Sequence, residues 1–271
     1  MDYDTLTETE WERVGHVWDL LEDGNVERAR LELDALLRSR PGHPDLRIVN
    51  AAVSMDEDEP RRALEALDGA ERSADPALFF HLRALAHYEL AELEPARDDA
   101  LRALAIYPEL AESHDLLARI YEHLGEPGAA EEHAEEAQQL DPDNFPPPLE
   151  VDDAAFDATV QASLAQLPAE VRKPLDEIPV IVEPLPSREL LSGEDPLSPD
   201  LLGLFVGRDL LARRHDDLPG APGAIYLFRR NLLRVCRDLD ELKREIRITV
   251  QHEVGHLLGL DEDDLEQWGL G

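Results

Sequence analysis

Two consecutive blocks of this 271-residue chain copy one another at a fixed offset, and that offset limits the possible folds more than any other feature. ALFFHLRALAHYELAELEPARDDALRALAIYPEL from Ala77 aligns with AESHDLLARIYEHLGEPGAAEEHAEEAQQLDPDN from Ala111 at an offset of 34 residues. The alignment pairs Ala84 with Ala118, Ala96 with Ala130, Ala103 with Ala137 and Pro108 with Pro142. Further back, Ala51, Ala63 and Ala70 precede Ala84, Ala96 and Ala103 by 33 positions, and Ala29 precedes Ala63 by 34. A first, weaker copy begins near Glu10, with Gly24 in the inter-helix turn and Pro41 at its end. Small residues at a constant period mark where paired helices approach closely, and the prolines stop the second helix of each pair.

This pattern resembles a tetratricopeptide array of four units, covering about Glu10 to Asn144. The resemblance implies an all-α helical-repeat solenoid whose stacked helices form a concave groove for a protein or peptide. His114, His123 and His133 lie in the array without ligand-like spacing and read as helix-surface or packing residues.

DPDNFPPPLEVDD from Asp141 then breaks the helical pattern, because Pro146, Pro147 and Pro148 cannot continue a helix. The expected organisation is a repeat domain over residues 1–145, a proline-rich linker over 146–153 and a second domain over 154–271. In that domain DDAAFDATVQASLAQL reads as an amphipathic helix through Phe156, Val160, Leu164 and Leu167. IPVIVEPL from Ile178, LLGLFVG from Leu201 and AIYLF from Ala224 read as strands, the last introduced by the turn LPGAPG. SRELLSGEDPLSPD reads as loop, and NLLRVCRD and LDELKREIRITVQHEVGHLL read as helices, the second ending at Gly259. The second domain is therefore expected to be α+β, a small sheet with a histidine-bearing helix last.

That helix carries QHEVGHLLGLDEDD from Gln251. Positions i and i+4 share one helical face, so His252 and His256 can both direct a ring nitrogen to one metal ion about 2 Å away. Glu253 lies beside them, placed to take a proton from a water whose acidity zinc raises, and to return it to a leaving amine. Two histidines leave zinc under-coordinated. The chain's methionines, Met1 and Met55, both precede the motif, so no Met-turn follows it. Gly259 can adopt φ > 0 and fold the chain back on the acidic run that follows. In the spacing H-E-x-x-H-x-x-G-x-x-ligand, the third ligand falls on Glu262, with Asp261 as the alternative. AIYLF is the candidate strand for holding a substrate backbone, and Tyr226 and His215 are the candidate donors to an oxyanion.

HEVGHLLGLDEDDLEQWG, with LLGLFVG, PGAIYLF and IRITVQHE upstream, resembles the small bacterial minimal-zincin metallopeptidases over roughly Phe156 to Gly269. The resemblance implies a zincin-like fold binding Zn2+, with His252 and His256 as ligands, Glu253 as general base and Glu262 at the acidic ligand position. The family usually has aspartate where Glu262 stands and often a second histidine where Leu257 stands. The implied function is a zinc peptidase whose repeats recruit a protein substrate. The alternative is an adaptor in which the zincin fold is a metal-stabilised, inactive scaffold. A metal-dependent endoribonuclease with an H-x3-H-x5-H motif fits worse, since Glu262 replaces its third histidine and Glu253 follows the first.

Charge adds exclusions. A net charge of −35, spread over both halves, repels phosphate backbones and anionic lipid, so neither nucleic acid nor a membrane is an expected partner. The single cysteine, Cys236, excludes an intramolecular disulfide and a cysteine zinc cluster, and reads as a buried thiol. MDYDTLTETEWERV lacks a basic region before an apolar core, and no run of about 18 apolar residues occurs. The expectation is a soluble, cytoplasmic protein.

Overall fold

In the computed structural model, which describes residues 5–175, 178–192, 196–207 and 223–258, eight helices form four hairpins ahead of the prolines. They are α1 (Glu8–Glu22) with α2 (Val26–Ser39), α3 (Pro44–Asp56) with α4 (Pro60–Leu67), α5 (Pro76–Glu89) with α6 (Leu93–Ile106), and α7 (Ala111–Leu124) with α8 (Pro127–Leu140). The chain divides into two compact units, Met1–Pro146 with Leu191–Pro199, and Pro147–Leu190 with Asp200–Gly271.

The repeated alanines sit where neighbouring helices touch. Ala29, Ala63, Ala96 and Ala130 are all buried, as are Ala70, Ala103 and Ala137. A larger side chain at any of them would have to displace a helix, since packed interiors leave no room for added volume. Pro41, Pro108 and Pro142 each lie two residues beyond the end of α2, α6 and α8. Helix starts are also written locally. Thr7 accepts from the Glu10 amide while the Glu10 carboxylate accepts from the Thr7 amide, a reciprocal cap on α1. Pro44, Pro60, Pro76 and Pro127 occupy the first turn of α3, α4, α5 and α8, where their missing N–H costs nothing.

Polar ties hold the hairpins in register. Arg30 on α2 donates to Asn50 and Ser54 on α3 and to both oxygens of Glu57 just beyond it. Arg83 on α5 makes a bidentate pair with the buried Asp99 on α6, at 2.6 and 2.7 Å. Satisfying such a carboxylate matters more than forming the pair, because an unpaired buried charge costs several kcal/mol, roughly 3–5.

The second unit packs α9 (Asp153–Ala165) and α13 (Leu239–Leu257) around a three-stranded sheet. Its strands are β1 (Val180–Glu183), β2 (Gly203–Val206) and β3 (Ala224–Phe228), in the order β1-β3-β2. β1 runs parallel to β3, with Ile181 opposite Tyr226, and β2 runs antiparallel to it, with Leu204 opposite Tyr226. α10 (Ala169–Leu175), α11 (Arg188–Leu191) and α12 (Arg229–Val235) complete the described elements. Asp238 caps α13 by accepting from the Asp240 and Glu241 amides. Leu242, Ile246, Val250, Val254 and Leu257 then form the buried stripe that the helical period requires.

Two expectations need correction here. The SRELLSGEDPLSPD segment contains a short helix, α11, with Ser187 Oγ accepting from the Leu190 amide to start it. AIYLF is not an edge: β3 lies between β1 and β2, so both of its hydrogen-bonding sides are already used. Helix α13 is described to Leu257, and Gly259 lies outside the described residues. Among the described residues, no helix is long and apolar enough to cross a membrane.

Candidate metal centre

The buried stripe of α13 fixes where its remaining side chains lie. His252 and His256, one turn apart, are partly exposed, and their Nε2 atoms converge to 2.9 Å with the rings nearly perpendicular, at 83°. The donor of that contact depends on which ring nitrogen carries hydrogen. A zinc ion about 2.0–2.1 Å from each nitrogen in tetrahedral geometry would set them about 3.3 Å apart. The two rings therefore fit a shared divalent ion after opening by a few tenths of an ångström.

Glu253, between them in sequence, turns instead toward the sheet. Its side chain is buried, and Oε2 accepts a 2.6 Å hydrogen bond from the Phe205 backbone amide on β2. Charge-assisted bonds of this kind are short and directional, so one carboxylate oxygen is anchored on the strand. The approach of α13 to β2 is close throughout this region. A Cβ on Gly203 would lie 2.5 Å from Thr249 Cγ2 and 2.9 Å from the Tyr226 carbonyl oxygen.

Strand alternation decides the position of Tyr226. Ile225 and Leu227 are buried in the core that also contains the apolar stripe of α13, so Tyr226 between them projects from the opposite face of the sheet. Tyr226 is thereby removed as an oxyanion donor for a site on α13. Its partner candidate His215, and the ligand candidates Glu262 and Asp261, lie outside the described residues. Among the described residues no group of three His, Cys, Asp or Glu side chains assembles to hold a metal. His252 and His256 are the convergent pair; Glu253 joins them in sequence but is directed to the strand.

Sequence reasoning missed the part played by β2. The signal was available: a glycine inside the strand LLGLFVG marks close backbone approach by another element. His114, His123 and His133 fall within helices, as expected. His114 Nδ1 and His133 Nδ1 meet at 2.9 Å between α7 and α8, and Tyr121 stacks on the His133 ring. Cys236 is buried, and burial together with Glu245 and Glu241 pushes its thiol up to about 11.

Residues 175–270 match the family described as zincin-like metallopeptidase, and residues 111–144 match the tetratricopeptide repeat. The helical repeats thus precede the zincin-like region, and a match to the latter implies zinc binding in general. No curated protein matches the sequence. Among solved structures, Pseudomonas aeruginosa pilF is 22% identical, covering 58% of this chain and 67% of its own, with a TM-score of 0.44. A MamA crystal structure is 20% identical over 57% of this chain and 85% of its own, at 0.40. The Cut9-Hcn1 tetramer of the APC/C is 18% identical over 55% of this chain and 28% of its own, at 0.45.

Proposed function

We propose that the protein is a zinc-dependent peptidase whose repeats recruit its protein substrate. The observation that carries this reading is the convergence of His252 and His256 Nε2 at 2.9 Å beside an anchored, buried Glu253, within a zincin-like region. His252 and His256 would hold the ion, with an acidic side chain from Glu262 or Asp261 as third donor. Bound there, zinc supplies Lewis-acid polarisation of the scissile carbonyl and acidifies the attacking water.

The chain's own residues do the rest. Glu253 takes the proton of the attacking water through its carboxylate and passes it to the leaving amine, the usual duty of a carboxylate held at hydrogen-bond distance. The anchored oxygen keeps the carboxylate from swinging away between the two transfers. β1 and β2 are both outer strands among the described ones; β2 lies against the same helix, so an extended substrate backbone would run along it clear of the Phe205 amide that Glu253 already occupies. Repeats of this class bind proteins, and their groove provides the second contact.

The test is elemental mass spectrometry on protein purified without chelator or affinity metal, followed by peptide and protein hydrolysis. Wild type should carry near-stoichiometric zinc, and His256→Ala should lose it. Glu253→Gln should keep the zinc and lose hydrolysis by at least about 100-fold. Protein that takes up no zinc overturns the reading. Zinc retained with no cleavage of a bound partner would favour an adaptor.

A further inference from the structure

The contact between α13 and β2 assigns roles to two residues that carry no reactive side chain. The Phe228 amide donates to the Leu202 carbonyl at 2.9 Å, so 202 and 228 form a hydrogen-bonded pair of the antiparallel ladder. By alternation, the backbone groups of Gly203 and Phe205 face away from β3. The Phe205 amide that Glu253 accepts from is therefore an outward-facing edge donor, and not a member of the ladder.

We infer that the Phe205 amide helps to orient Glu253 by holding its Oε2, and that Gly203 sets the distance at which it does so. Both are positioning residues, acting through Glu253, and the inference rests on the peptidase reading of that residue. Glutamate loses much rotamer freedom when one carboxylate oxygen is held, so an anchor on Oε2 narrows the orientations of the whole carboxylate. Only glycine allows the required approach. Alanine at 203 would put a methyl 2.5 Å from Thr249 Cγ2 and 2.9 Å from the Tyr226 carbonyl. The Tyr226 carbonyl is β3 backbone and cannot rotate aside, so β2 must shift against β3, while the Thr249 contact pushes β2 and α13 apart; both displacements move the Phe205 amide relative to Glu253.

The arrangement can be read directly by NMR on the full chain labelled with 15N-phenylalanine, which gives signals from only six residues. A Phe205→Leu variant identifies the Phe205 signal. In metal-free protein that amide proton should lie at low field. Glu253→Ala should move it upfield and speed its exchange by about tenfold or more, whereas Glu253→Gln, whose amide oxygen still accepts, should move it less. Gly203→Ala should reproduce the upfield shift with Glu253 present, and adding Thr249→Ala should partly reverse it. If Gly203→Ala does not fold, the Glu253 pair still decides the anchor. In zinc-loaded protein, Gly203→Ala should lower kcat by about tenfold or more with KM and zinc content unchanged.

A Phe205 amide unmoved by Glu253→Ala overturns the inference. So does a Gly203→Ala protein whose amide signal matches wild type. Failure of the wild type to bind zinc would overturn the peptidase reading, and the Phe205 signal would still judge the anchor on its own.

Discussion

His81 on α5 faces Ser113 Oγ across 2.9 Å, and burial, reinforced by the charge of Arg119, lowers its pKa to about 4. Its ordinary value is near 6.5, so between about pH 6.5 and 4 the unfolded chain binds a proton that the folded chain refuses. Stability from this residue is therefore complete above about 6.5 and is lost as pH falls toward 4. The expected loss is about 3 kcal/mol, measured by denaturant titration across that window. In His81→Gln the slope between pH 6.5 and 4 should be reduced by that amount. Cys236 is the other residue whose chemistry burial controls. With its thiol raised to about 11, only about one molecule in a thousand is thiolate at pH 8. Alkylation of the folded protein by iodoacetamide at pH 8 should be slow, and unfolding in denaturant should speed it by orders of magnitude. Ready modification of native protein would show that the site opens.

At the scale of the element, the repeat is written in backbone conformation as well as in side chains. The turns inside the four hairpins hold a left-handed residue at Gly24 (φ 71°), Asp58 (φ 58°), Ala91 (φ 56°) and Gly125 (φ 75°). Two copies use glycine, and two force a side chain into a conformation that costs about 1–2 kcal/mol. Ala91→Gly should therefore stabilise the repeat unit by up to about 1 kcal/mol, visible as a rise in Tm, although glycine elsewhere in a helix array destabilises. The converse substitution, Gly125→Ala, should cost about 1 kcal/mol. Enlarging a helix contact is more severe: Ala96→Leu, at a fully buried position, should cost at least about 1–3 kcal/mol or prevent folding. A thermal melt of each variant decides the order Ala91→Gly, wild type, Gly125→Ala, Ala96→Leu.

For the whole molecule, the net charge of −35 outweighs any single ion pair. Self-repulsion at that density opposes the compact state and is screened within about 10 Å at 0.1 M salt. Raising sodium chloride from about 10 mM to 0.5 M should raise Tm, and insensitivity to salt would mean that ion pairs such as Arg30–Glu57 and Arg83–Asp99 offset the repulsion locally. The same chain shows how far sequence reaches. Period and proline position determined the hairpins, because a helix and its close contacts are set by residues within a few turns of one another. The i, i+4 spacing likewise determined that His252 and His256 would share a face and meet. Tertiary structure alone decided that AIYLF lies at the centre of its sheet, that Tyr226 projects from the face opposite α13, and that Glu253 is held by an amide 48 residues before it. Strand order and strand-to-helix contact arise from pairing between distant segments, and no local period encodes which segment pairs with which. A half-buried strand reads the same at the middle of a sheet as at its edge, and only the neighbours that use its hydrogen bonds tell the two apart.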